Sequence, residues 1–426
     1  MAFTTTCPKL FSKISAKIPE VKAQISSLKN SSQKVADLKV SNILGGLRGV
    51  PILNSFTSEM HPNKGPLIHG LTLQELINHL PQRHSVPIPE GMFWYLLTGE
   101  VPTTEETVSL IDALDEKSSL PIETIKILDT LPHDFPPIAL LSIGILSLTS
   151  YSRFNYLYNS GEKSRLWEGA YEDAMDILAK MTPLLGYIYC KRHGFEADLS
   201  VRGSISSRFC KLVGGENSIN LIRFVKLFLT TYADSDTGSA SAQAAKLVSS
   251  TLSDPYKSIS AALNAVGGHL HGKAMQDSVE WIIKSSTFYK TQALQDIKDG
   301  KTIPGFGHAK LLAPDPRYDI IYRYFKTVNP NHHMLKRVED IVNCVPLLLK
   351  GKVRDPYVNG DFIAGACLFG MGIEDVQMGP CLFGLARTIG CLSNIVWDRA
   401  LNIPIMYTNS LTLEMLEEIV SKPTIS

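Results

Sequence analysis

Apolar positions along this chain recur with a helical period. Leu73, Leu76, Ile77 and Leu80 fall on one helix face, and Thr72 with Glu75 forms a capping box that starts the helix. Leu221, Phe224, Val225 and Phe228 repeat the spacing, which predicts that Arg223 and Lys226 lie on the opposite, polar side. From Ser235 to Ser250 the residues are mostly Ser, Ala, Thr and Gly, small enough for helices to approach closely. The stretch Cys381 to Trp397 is apolar almost all the way round, the mark of a buried helix. Alternating runs of the β type are scarce, no repeat of roughly 20–50 residues occurs, and the longest biased tract is the Ser/Lys-rich Ser26 to Lys39. The pattern predicts an all-α globule.

Composition narrows the function classes. With 426 residues the chain is long enough for two or three domains and a large core. Lys+Arg 42 against Asp+Glu 41 leaves a formal charge of +1, which argues against nucleic acid or an anionic membrane surface as partner. Any bound anion must therefore be held by a few placed cations. The longest strongly apolar stretch, Pro137 to Leu148, is too short to cross a bilayer. The seven cysteines are odd in number and form no C-x-x-C pair, which fits buried thiols rather than a disulfide framework or thiolate zinc. Lys9, Lys13 and Lys17 without an acid make a weak transit-like start, but arginine is missing there.

Three Gly- and Pro-bearing segments interrupt the helical rhythm, and each carries a titratable group. They are Gly267-Gly268-His269-Leu270-His271-Gly272, Pro304-Gly305-Phe306-Gly307-His308 with Asp315-Pro316-Arg317 behind it, and Asp355 to Asp361. Such loops suit ligand contact, because a rigid scaffold aims them and glycine admits close approach. Most histidines are satisfied surface or core residues; His271 and His308 stand out by adjoining glycine in loops. A metal site is not expected: His269 and His271 are two apart, His332 and His333 adjacent, and H-E-x-x-H is missing. Phosphate-loop, dinucleotide and G-x-S-x-G motifs are missing too.

Arg387 lies within the apolar Cys381–Trp397 stretch. A buried guanidinium needs an anion, either an internal carboxylate or a bound acidic ligand, and the local sequence leaves both open. Arg317, in a Pro-bracketed turn, is a second candidate cation. Lys350, Lys352 and Arg354 precede Asp361, and form either a solvated edge or a phosphate contact.

Taken together, the three loops resemble citrate synthase of the eukaryotic type. Its G-x-L-H-G, P-G-[FY]-G-H with D-P-R, and N-x-D motifs appear in order as Gly268–Gly272, Pro304–His308 with Asp315–Arg317, and Asn359–Asp361. Pro87 to Gly99, Leu252 to Tyr256 and Trp397 to Leu401 support the likeness, which runs from about residue 5 to 420. The resemblance implies a two-domain helical homodimer with residues 1–272 and 373–426 in the large domain and 273–372 in the small one. It implies condensation of an acyl-CoA with a 2-oxo acid, with no cofactor beyond the coenzyme A thioester substrate. On this sequence Asp361 would be the base at the thioester α-carbon, His271 the donor to the enolising oxygen, and His308 the group at the keto oxygen. Arg317 and Arg387 would hold carboxylates of the acceptor. Lys352, Arg354 and Asn359, with Gly305 and Phe306, match the coenzyme A-binding positions.

The sequence departs from the family at the acceptor. Ser235 stands where a substrate-gripping histidine is usual, and Tyr407 where the partner subunit usually sends in an arginine. His269 and Lys273 replace a proline and a leucine. A charge-assisted hydrogen bond is worth about 1.5–3 kcal/mol, so two lost contacts weaken the grip on oxaloacetate unless something compensates; Lys273 is one candidate. The leading expectation is a condensing enzyme with altered substrates, as in alkylcitrate or methylcitrate synthesis. The alternatives are an ordinary citrate synthase and a non-catalytic scaffold. Because the resemblance starts near Thr5, a cytoplasmic location is expected, with the mitochondrial matrix as the alternative.

Overall fold

The computed structural model describes residues 4–215, 218–285 and 288–421. Helices run through it from Pro8–Leu28 to Leu413–Ser421, and the one sheet among the described residues is small. Thr72 caps Leu73–His79, its hydroxyl accepting from the Glu75 amide while the Glu75 carboxylate accepts from the Thr72 amide. Leu73, Leu76 and Leu80 are buried by that helix, as the spacing predicts.

The helix Met378–Ala400 is the axis of the molecule. All 23 of its residues are buried, and it packs against helices Pro89–Thr98, Pro137–Ser147, Leu166–His193, Ile219–Thr231, Ala240–Ser250, Pro255–Val266 and Ala274–Ser285. Each fully buried Leu, Ile or Phe on such a helix contributes about 1.5–3 kcal/mol. This helix and the segment Pro137–Asn159 are long and apolar enough to span a bilayer; the first is wholly enclosed by protein and half of the second is. The internal Lys246–Asp398 pair, 2.6 Å long, ties the axis helix to Ala240–Ser250.

One expectation needs correction. Lys226 is buried at 2 % exposure rather than facing water. Its helix, Ile219–Thr231, is covered on that side as well, and the ammonium donates to the carbonyl of Arg83. The chain also forms an antiparallel sheet of strands Ser58–His61, Gly65–Ile68 and Leu71–Thr72, with Ser58 opposite Ile68 and Leu67 opposite Thr72. Strands this short leave little alternation to read. The sheet matters for the site: its turn receives the Leu312 amide at Pro62 O (2.8 Å), and Gly65 abuts the ring of Pro316. These contacts brace the segment that carries Arg317.

Helices Ala274–Ser285, Tyr289–Lys298, Pro316–Val328, His333–Leu349 and Gly360–Gly370 pack chiefly on one another. The three loops singled out in the sequence all lie where this group meets the rest.

Candidate active site

A cavity of about 380 Å³ opens between these two parts of the chain. Ser235, His271 and Arg387 line it from one side, and Gly305, Phe306, His308, Arg317, Asn359 and Asp361 from the other.

Backbone stitching fixes the loops. Asn359 caps helix Gly360–Gly370, accepting from the Asp361 amide, while its side chain donates to Gly307 O (3.0 Å) and its amide to Gly305 O (2.9 Å). Asp315 caps Pro316–Val328 and also accepts from the Gly360 amide (2.9 Å), so one carboxylate joins two loops. Burial opposes ionisation of Asp315, but the Arg317 guanidinium and the Gly360 amide outweigh it and hold the carboxyl below its usual range. Gly360 itself sits against Tyr232 and Arg317; a Cβ there would fall 2.4 Å from the tyrosine oxygen.

Asp361 stands in the first turn of its helix. Its Oδ1 is shielded from water without a well-formed hydrogen bond, and the neighbouring Tyr232 hydroxyl, likewise without one, favours the ionised carboxylate only weakly. Loss of hydration is the main cause that lifts the Asp361 pKa to about 6, with Arg317 and Arg387 opposing it. Both imidazoles move the other way. Burial, followed by the charges of Arg387 and Arg317, lowers His271 to about 3; burial and then Arg317 lower His308 to about 4. Both rings are therefore neutral at pH 7.

Their hydrogen bonds set the orientation. The amides of Lys310 (3.1 Å) and Leu311 (3.2 Å) donate into His308 Nδ1, which places the ring proton on Nε2. His271 Nε2 meets Ser241 Oγ at 2.8 Å, and its ring stands edge-on to Phe383. When Ser241 donates, the His271 proton sits on Nδ1.

The two arginines differ. Arg317 gives Nε and Nη2 to Asp315 and stacks over Tyr232. Arg387 is 2 % exposed and forms no carboxylate ion pair; Nη1 donates to Ser235 Oγ (2.8 Å) and Ser239 Oγ (3.1 Å), and Nε has no partner. The internal salt bridge that the sequence left open is not formed. Close packing makes this geometry: Gly390 on the axis helix touches the Ala233 carbonyl, where a Cβ would lie 2.5 Å away, and so brings Arg387 to Ser235. Asp234 beneath is held by Thr57 Oγ1 (2.6 Å) and accepts from the Ser235 amide (2.9 Å).

Some expected residues lie elsewhere. Lys352 and Arg354 are exposed on the loop before Asp361 and do not line this cavity. Tyr407 is 86 % exposed and also outside it. Lys273, the suggested compensating cation, does not line it either; its ammonium meets His269 Nε2 at 3.2 Å, and His269 in turn meets Asp277. The sequence reading gave no role to Lys310, which lines the cavity and pairs with Asp236, nor to Tyr232, Ser239 and Phe383, and it named Asp315 only as part of the D-P-R motif. Among the described residues no group of three His, Cys, Asp or Glu side chains could hold a metal ion.

The chain is similar to known proteins over most of its length. A family model described as "Citrate synthase, C-terminal domain" matches residues 46–406. The chain belongs to the citrate synthase family. It is accordingly an acyltransferase. A probable mitochondrial citrate synthase of Glossina morsitans morsitans is 33% identical, over 96% of this chain and 92% of its own. A mitochondrial 2-methylcitrate synthase of Gibberella moniliformis is 32% identical, over 97% and 92%. The fold matches that of the Thermoplasma acidophilum citrate synthase solved with carboxymethyl coenzyme A and oxaloacetate, with a TM-score of 0.77, 20% identity, and coverage of 88% and 97%.

Proposed function

We propose that the protein condenses an acyl-CoA with a 2-oxo acid, oxaloacetate or a close relative, and then hydrolyses the thioester. The observation that carries this reading is the convergence of Asp361, His271 and His308 on one cavity, where Arg387 is buried and forms no ion pair among the described residues.

In this reading Asp361 removes the α-proton of the thioester. A base with a pKa near 6 is stronger than an ordinary carboxylate, yet still far too weak to ionise a thioester unaided. Stabilising the developing enolate is therefore the larger task. His271, neutral and proton-bearing on Nδ1, donates to the thioester oxygen. His308 presents Nε2–H to the keto oxygen of the acceptor, polarises it and supplies its proton. Arg387 and Arg317 hold the acceptor's carboxylate end. The enolate carbon attacks the keto carbon, and water then releases coenzyme A. Gly305, Phe306 and Asn359 form the wall for the thioester arm, while exposed Lys352 and Arg354 face the coenzyme A phosphates.

The reading includes a homodimer, in which the exposed segment around Tyr407 meets the partner's cavity, and a small domain of 273–372 closing on a large domain of 1–272 and 373–426. The relatives carry "mitochondrial" in their names, which favours the matrix over the cytoplasmic expectation; imaging of the full-length protein decides between them.

Thiol release from acetyl-, propionyl- and longer acyl-CoAs, each with oxaloacetate and other 2-oxo acids, tests the proposal. Activity with oxaloacetate and acetyl- or propionyl-CoA is expected, and the ratio of the two donors separates citrate from methylcitrate synthesis. No release with any pair refutes the reading. The pH profile of kcat/KM should fall on the acid side with a midpoint near 6, because Asp361 must be ionised to act. The histidines titrate near 3 and 4 and add no limb above pH 5. An acid limb centred at pH 4 would remove Asp361 as the base.

A further inference from the structure

We propose that Lys310 determines acceptor specificity: its ammonium, anchored on Asp236, binds the second carboxylate of a dicarboxylic 2-oxo acid whose other end Arg387 holds. The inference rests on the condensation reading and deepens it.

Two acceptor contacts usual in the family are replaced here by Ser235 and Tyr407, and Lys273 is turned toward His269. Lys310 lines the cavity and is not otherwise used. It lies two residues beyond His308, and its own amide holds His308 Nδ1, so the lysine backbone is fixed beside that ring.

The anchor is a built one. Lys310 Nζ meets Asp236 Oδ2 at 2.5 Å, and Asp236 Oδ1 accepts from the Gly238 amide. Asp236 adopts φ 121°, a region that side-chain-bearing residues seldom occupy. Backbone strain of this kind persists where the surroundings impose it, commonly at ligand clamps. Gly238 makes room: a Cβ there would stand 2.7 Å from Nζ. An ammonium has three donors, and Asp236 Oδ2 takes one, leaving two for a ligand.

Charge placement points the same way. Arg387 donates to Ser235, and Lys310 binds Asp236. Two cations are thus tied to consecutive residues of one strained turn, a spacing that suits a short dicarboxylate.

Calorimetric titration of the full-length protein with oxaloacetate and with pyruvate, which lacks the second carboxylate, tests this. Wild type should prefer oxaloacetate. Lys310→Met should weaken oxaloacetate roughly 10- to 100-fold and leave pyruvate unchanged. Lys310→Arg should keep the preference. Lys310→Gln is read in the same way as Lys310→Met if the latter does not fold. Equal loss for both acids, loss for neither, or no wild-type preference overturns the inference. Thiol release is measured in parallel. Preference for oxaloacetate that depends on Lys310, without turnover, refutes the condensation reading and upholds this one; turnover with an unchanged Lys310→Met preference does the reverse.

Discussion

Asp361→Asn is expected to cut thiol release roughly 10²- to 10⁴-fold, the usual worth of a general base, while making the protein more stable at pH 8. The substitution keeps the shape and the helix position, so the cavity survives. It removes an ionised group whose Oδ1 lacks a well-formed hydrogen bond and whose pKa burial has raised to about 6. The folded state thus prefers the protonated carboxyl relative to the unfolded chain. Protonation supports the fold fully below the unfolded pKa of 3.8, and that support is lost as pH rises through 6. Above pH 7 the ionised side chain costs at most about 3 kcal/mol. Melting temperatures of wild type and variant should therefore diverge between pH 4 and pH 8, with the variant higher at pH 8. A variant that turns over within a few-fold of wild type, or melts lower at every pH, contradicts the assignment.

The parts of the site that can be read from sequence are those where local chemistry conflicts with its surroundings. Glycine and proline break the helical period beside His271, His308 and Asp361, and this marks the loops before any fold is known. Arg387 is conspicuous because everything within four residues of it is apolar or small. Asp315 is visible in the sequence only as the first letter of the D-P-R motif. Its role as the link between Arg317 and the Gly360 amide comes from a pairing 45 residues apart in the chain, which no local pattern encodes. Lys310 reads as an ordinary loop lysine until Asp236, 74 residues away, is placed against it. Lys226 shows the limit of periodicity: the spacing finds the helix Ile219–Thr231 correctly, but a helix in the middle of the molecule is covered on its polar side too. The short strands at 58–72 are set by their register with one another rather than by alternation.

The two most buried arginines should respond oppositely to removal, and the contrast separates a ligand-binding guanidinium from a structural one. Arg208 is 1 % exposed, is ion-paired with Asp115, and donates to the carbonyls of Ala179 and Gly203. Arg208→Met takes the guanidinium from two carbonyls and from Asp115, which keeps only the Gly203 amide, and breaking a buried pair in this way costs about 3–5 kcal/mol. The exposed edge of Asp115 lets water recover part of that, so a clear fall in melting temperature is expected, with KM for the acceptor unchanged. Arg387 is equally buried and its Nε, like that of Arg208, has no partner, but its other hydrogen bonds go only to two serine hydroxyls, with no carboxylate. Burial is the main cause that depresses its pKa, the Arg317 charge adds to it, and Asp234 is a weaker counterweight. Two serine hydroxyls, the Phe383 ring and Asp234 offset its desolvation only in part, so Arg387→Met should leave the melting temperature of the free protein equal or higher. It should also weaken oxaloacetate by roughly 100-fold or more, since a buried charge-assisted pair with a carboxylate is lost. The stabilisation that oxaloacetate confers on wild type in a thermal-shift measurement should vanish in the variant. If Arg387→Met instead destabilises the free protein as much as Arg208→Met does and leaves acceptor affinity intact, the guanidinium is structural and the cavity must find its anion-binding cation elsewhere.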